Sequence, residues 1–285
     1  MSINTALSKK LICIHCSKPT LEEKEDALVC SLCGRKVPVH NNVPNFLSSF
    51  RIGKLSWTES GSDPHAYEST ISRTNPYRLK RIDEPLLQYA QGEVLEIGCG
   101  TCRLAIPVER RGGEYFGLDP VYPFLLYAHK YRNSRKLVCG QGERLPFQDN
   151  SFDCIISGFY AYRYVNPELG LPETRRVLRT NGRFVFDLLN FWILKLMELK
   201  RRVIRGEWAS IRSFRIKPEQ DTFEFINLSQ LQQKAEKAGF LIENVISAPV
   251  VPIAHSLYRY LSNFYFRGKK TIYLGYDIIV VLRAM

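Results

Sequence analysis

The segment Val94-Leu-Glu-Ile-Gly-Cys-Gly-Thr-Cys102 runs an apolar strand directly into a Gly-x-Gly turn, and the next apolar run, Glu114-Tyr-Phe-Gly-Leu118, ends on Asp119. Strand, glycine turn, helix, strand and carboxylate in that order restrict the chain to an α/β sheet that grips an adenosine group at its carboxyl edge. The glycines let the backbone approach the ligand, and a carboxylate about 20 residues on accepts the ribose hydroxyls. A dinucleotide turn, G-x-G-x-x-G, would need glycine at position 103, where this chain has Arg103. Glu96 instead makes the pattern E-x-G-x-G, which suits a cofactor without a pyrophosphate, held by close backbone contact to a zwitterionic amino-acid tail.

Strands fit residues 93–97, 114–118, 136–139, 153–157, 183–188, 241–247 and 276–282, and helices fit 104–111, 124–131, 172–179 and 228–238. Residues 67–90 also read as helical, with Pro85 near the first turn of the last helix and Gly92 beyond its end. Near-continuous apolar strands separated by helices imply a mostly parallel sheet covered on both faces.

Five blocks in order carry a wider resemblance: VLEIGCGTCRL, FGLDP, GERLPFQDNSFDCIISG, LRTNGRFVF and AEKAGF. With them the chain resembles the class I S-adenosylmethionine-dependent methyltransferases over roughly residues 90–245, the type 11 domain in particular. The resemblance implies a Rossmann-like, doubly wound α/β sheet of seven strands, the seventh antiparallel, with S-adenosyl-L-methionine as cofactor. It assigns Glu96, Gly98, Gly100, Asp119, Gln141 and Glu143 to the cofactor pocket. The chain departs from the family in three places. Cys102 replaces a third glycine and leaves less room beside the methionine moiety. Gln141 replaces an aspartate that accepts from the adenine amino group, which an amide oxygen can also do. Thr180-Asn181-Gly182 replaces a Pro-Gly-Gly turn.

Methyl transfer leaves few marks on the acceptor side, because the cofactor supplies the reactive group and the protein chiefly aligns the nucleophile. Tyr160, Tyr162 and Tyr164 follow the fourth strand and could stack on an aromatic acceptor or pack beneath a helix. Tyr160, and Asp187 near the end of the fifth strand, are the candidate catalytic groups.

Ahead of the sheet, Cys13-x-x-Cys16 and Cys30-x-x-Cys33 place four thiols on two tight turns, a pattern that suits tetrahedral structural zinc. Residues 28–47 resemble the zinc-ribbon activator subunits that pair with methyltransferases of the translation machinery. Together these divide the chain into a zinc ribbon (1–48), a Ser/Gly/Asp/Pro linker (49–65) and a methyltransferase domain (66–285).

No apolar stretch approaches the ~18–20 residues needed to span a bilayer, so no transmembrane segment is expected. The N-terminal residues lack an apolar signal core, and a cytoplasmic protein is expected. Formal net charge is +12. Residues 191–217 hold eight basic residues against Glu198 and Glu207. That segment reads either as a basic lid that meets RNA or another anionic substrate, as a helix lying on a membrane, or as a solvated face. The acceptor is accordingly expected to be RNA or a nucleotide-containing molecule, with a small-molecule acceptor as the alternative. A third reading is a non-catalytic scaffold that binds RNA or activates a partner enzyme.

Overall fold

The computed structural model of the chain describes residues 3–47, 63–74, 76–190, 228–249, 265–268 and 275–285. The segment 191–217 and most of the expected linker lie outside the described residues.

The N-terminal part has a one-turn helix α1 (Thr5–Ser8) and four short strands, β1 (Leu21–Lys24), β2 (Ala27–Cys30), β3 (Lys36–His40) and β4 (Val43–Pro44), paired in sequence order. Helices α2 (Pro64–Arg73) and α3 (Pro76–Leu87) follow. The main sheet holds β5 (Glu93–Ile97), β6 (Glu114–Asp119), β7 (Leu137–Cys139), β8 (Phe152–Ser157), β9 (Leu178–Leu189), β10 (Phe240–Pro249), β11 (Phe266–Arg267) and β12 (Gly275–Ala284). Its order is β11-β10-β12-β9-β8-β5-β6-β7. The pairings among β5 to β9 are parallel, while β12 runs antiparallel to both β9 and β10. The seven expected strands are present, and the two-residue β11 adds an eighth at the edge beside β10.

Alternation along the strands splits the core into two layers. Leu95, Phe116, Phe184, Phe186 and Val280 belong to one buried cluster, and Val94, Tyr115, Val185, Ile279 and Val281 to the other. Residues of α3, α4 (Ala105–Glu109) and α5 (Tyr122–Tyr131) fill the second layer, and residues of α6 (Pro167–Val177) and α7 (Leu228–Lys237) enter the first.

The boundaries that differ most from expectation are those of α6 and β9. The helix expected at 172–179 begins instead at Pro167, because Asn166 caps it by accepting the amide of Glu168 at 2.9 Å and Pro167 suits the first helical position. Pro172 therefore lies inside α6 and Pro85 inside the end of α3, rather than each near a helix start. The fifth strand is longer than expected because Asn181, at φ +63°, absorbs the turn as an irregularity within β9.

The crossover from β7 to β8 contains no helix, and the N-terminal part covers that side of the sheet. Ile3, Leu7, Leu11 and Phe46 share one buried cluster with Phe116, Leu118, Val138 and Phe147. Backbone pairing reinforces the packing: the Phe46 amide donates to the Cys139 carbonyl at 2.9 Å, Ile12 to Pro146 at 3.0 Å, and Gln148 to Lys10 at 2.8 Å. The Lys10 ammonium bonds the Ser151 carbonyl at 2.8 Å and pairs with Glu93 at 2.6 Å. The loop from Cys139 to Gln148 is thus held at both ends by the ribbon.

Candidate active site and metal centre

The turn after β5 takes left-handed backbone angles at Gly98 (φ +73°), Gly100 (φ +53°) and Cys102 (φ +59°). A methyl group on Gly98 would lie 2.5 Å from the Cβ of Ala161, and one on Gly100 would lie 3.3 Å from the phenol oxygen of Tyr67. Gly98 is therefore required by close approach as well as by conformation, whereas at Gly100 the Tyr67 phenol would have to give by only a few tenths of an ångström and the backbone angle is the stronger constraint. Asp119 ends β6 beside this turn. Its Oδ2 accepts the Gly100 amide and its Oδ1 accepts the Val121 amide, each at 2.7 Å. Burial pushes its carboxyl up to about 6, against the pull of those two amides.

A cavity of about 400 Å³ opens at this carboxyl edge, and Gly98, Gly100, Asp119, Gln141 and Glu143 all line it. Five of the six residues assigned to the cofactor from sequence are thereby brought together. Glu96 is the exception and lies outside the cavity wall. It is buried among core residues, where its carboxylate accepts the Tyr115 phenol at 2.6 Å and burial pushes it up to about 8. Glu143 also accepts the amide of Asn166 at 2.8 Å and so anchors the start of α6. Cys102 does not crowd the cavity as expected: it joins the core, with its sulfur 3.6 Å from that of Cys99.

The far wall comes from the turn after β8. Phe159 (φ +56°) and Tyr160 (φ +61°) are consecutive non-glycine residues in the left-handed region, a strained arrangement that needs external support. Asp187 gives part of that support by accepting the Tyr160 amide at 2.9 Å, and the Tyr160 phenol donates to Asp277 at the start of β12. Asp187 is wholly buried, its second oxygen meets no hydrogen-bond partner among the described residues, and burial pushes its carboxyl up to about 8. Tyr160 lines the cavity; Asp187 stands behind it. Sequence reasoning missed Asp277, although an acidic residue at the head of the apolar run 278–282 is a legible signal. It also missed Tyr67 and Arg163, which line the cavity from α2 and from the 3-10 turn Ala161–Tyr164.

In the ribbon, the sulfurs of Cys13, Cys16, Cys30 and Cys33 all lie within 4.8 Å of one another, with Cys13 and Cys33 at 3.7 Å. Zinc bound tetrahedrally at ~2.3 Å would separate its sulfurs by about 3.8 Å, so the four thiols fit that ion.

Residues 95–186 match the family described as "Methyltransferase domain". An uncharacterized methyltransferase of Mycobacterium tuberculosis is 32% identical over 43% of this chain and 49% of its own length. The demethylmenaquinone methyltransferase of Thermotoga maritima is 33% identical over 37% of this chain and 47% of its own. The chain thus spans about half the length of these curated relatives. A chain in the complex of the Haloferax volcanii Trm112 methyltransferase activator with a methyltransferase superposes with a TM-score of 0.52. That match has 17% identity and covers 80% of this chain and 96% of the other. Sheet order, turn and matches together define a Rossmann-like methyltransferase fold whose cavity lies within the matched domain.

Proposed function

We propose that this chain is an S-adenosylmethionine-dependent methyltransferase acting on a small-molecule acceptor, with a ribbon stabilised by structural zinc on Cys13, Cys16, Cys30 and Cys33. The observation that carries the cofactor assignment is the Asp119 carboxylate at the end of β6, tied to the Gly100 amide and facing the cavity. Each of its oxygens keeps a lone pair for a ribose hydroxyl. Gly98 and Gly100 admit the amino-acid tail against the backbone, and Gln141 offers an amide oxygen to the adenine amino group. Phe124 and Pro120 supply apolar wall around the base.

The cofactor, when bound, supplies a sulfonium methyl as electrophile. The protein's own residues then orient the acceptor and take its proton. In this reading Tyr160 takes that proton while its own phenol proton passes to the Asp277 carboxylate it donates to, and Asp187 holds its backbone. Asp187 acts as a positioning residue in this reading, since Tyr160 stands between it and the cavity.

A small acceptor is favoured over RNA because relatives whose names state a substrate act on small molecules, demethylmenaquinone in one case and a polyprenyl benzoquinol in another. The basic segment expected to meet RNA falls at 191–217, outside the described residues. Among the described residues no helix is long and apolar enough to cross a membrane. Calorimetric titration with S-adenosylhomocysteine tests the cofactor assignment. Saturable one-site binding is expected, and binding of NAD in its place would overturn it.

A further inference from the structure

The charged groups around the cavity differ in what they have left to bind. Asp119 is engaged by two amides and Glu143 by a third. Arg163 is the one cation among the described lining residues. Its guanidinium lies over the Tyr164 ring, 4.6 Å from the centroid, and donates to the phenol oxygen of that residue. Its Nε is buried without a hydrogen-bond partner, and it forms no ion pair with any described residue. Tyr164 is 40% exposed, which puts this pair at the mouth of the cavity rather than in its depth.

A guanidinium braced on an aromatic face has little freedom left to lose when it meets a ligand. A buried N–H without an acceptor carries a desolvation cost that an incoming anion offsets. The neighbouring wall is aromatic, through Phe159, Tyr160 and Tyr164. Burial also favours the neutral form of Asp187 behind that wall, so a second negative charge there opposes an anion only weakly.

We propose that Arg163 is the specificity-determining residue for the acceptor and binds the carboxylate of an aromatic acid whose ring lies against Phe159 and Tyr160. The Nε–H and the remaining guanidinium N–H groups suit a planar carboxylate. Calling that acid the acceptor rests on the methyltransferase reading; the anion site itself rests on the cavity alone.

The test titrates wild-type protein with benzoate and with its neutral analogue benzamide, with and without saturating S-adenosylhomocysteine, and repeats this for Arg163→Gln and Arg163→Lys. Wild type should bind benzoate about tenfold or more tightly than benzamide, as expected for a charge-assisted contact. Arg163→Gln should bring benzoate down to the level of benzamide while S-adenosylhomocysteine affinity holds. Arg163→Lys should fall between, since it keeps the charge and loses the planar fork. Equal binding of the two probes, binding of neither, or a preference that survives Arg163→Gln overturns the proposal. So does a large loss of S-adenosylhomocysteine affinity in Arg163→Gln, which would give the residue to the cofactor's own carboxylate. A benzoate preference that depends on Arg163 in protein unable to bind S-adenosylhomocysteine would uphold the anion site and remove the methyltransferase reading.

Discussion

The Oδ2 of Asp119 accepts the amide hydrogen of Gly100 at 2.7 Å, so the carboxylate at the end of one strand fixes the loop that follows its neighbour. Asp119→Ala removes the proposed ribose acceptor and loosens the loop together. S-adenosylhomocysteine affinity should fall by roughly 1–3 kcal/mol, read by calorimetry. Unchanged affinity would show that the ribose is held elsewhere.

Burial raises the folded-state pKa of Glu96 from 4.5 to about 8, so the fold holds this proton more tightly than the unfolded chain does. The stability gained from that proton is complete below 4.5 and is lost as pH rises to about 8. Asp187, raised from 3.8 to about 8, acts with the same sign. Chemical unfolding should therefore show wild type losing a few kcal/mol between roughly pH 5 and pH 8. Glu96→Gln should flatten the profile in part, because Asp187 still titrates. A variant as pH-dependent as wild type would contradict the assignment.

Gly98 and Gly112 both have positive φ, +73° and +83°, but an added methyl meets Ala161 at 2.5 Å in the first case and nothing within 4 Å in the second. Gly112→Ala should cost only the backbone strain, about 1–2 kcal/mol. Gly98→Ala should cost more and should also abolish S-adenosylhomocysteine binding. Equal melting midpoints for the two variants would sink this account.

Metal removal should reach the cofactor. The ribbon grips both ends of the loop that carries Gln141 and Glu143, at Cys139 and at Pro146 to Gln148. One zinc per chain is expected in reduced protein. Stripping it with a chelator, or replacing Cys30 with Ser, should weaken S-adenosylhomocysteine binding. Metal analysis without zinc, or cofactor affinity indifferent to its removal, would count against the link. Phe46→Ala probes the same brace without touching the thiols. Phe46 is 2% exposed in the shared core, and its truncation should cost about 3–5 kcal/mol.

The parts legible in the sequence are those where local chemistry leaves one option. A buried strand running into Gly98-x-Gly100, and Asp119 at the end of the next, specify the turn and the carboxyl edge without tertiary information. The E-x-G-x-G resemblance assigns Glu96 to the pocket, yet strand alternation turns it to Tyr115. The family resemblance puts Cys102 beside the ligand, where a third glycine is usual, but its side chain enters the core. Tyr67, Arg163 and Asp277 reach the site from a helix before the sheet, a 3-10 turn and the last strand. Their contributions depend on packing across long sequence separations, which motif spacing does not encode. The helix beginning at Pro167 is legible in Asn166-Pro167-Glu168, while Pro172, which also suits a first helical position, offers a competing start.

The missing helix between β7 and β8 has a consequence for how the protein behaves in a crowded solution. With residues 1–47 removed, Phe116, Leu118 and Val138 would face water, and β7 would present an open edge of backbone donors and acceptors. An apolar sheet face beside an open edge recruits other copies of the same chain. The ribbon therefore serves as the molecule's own shield against self-association, whatever chemistry takes place at the carboxyl edge of the sheet.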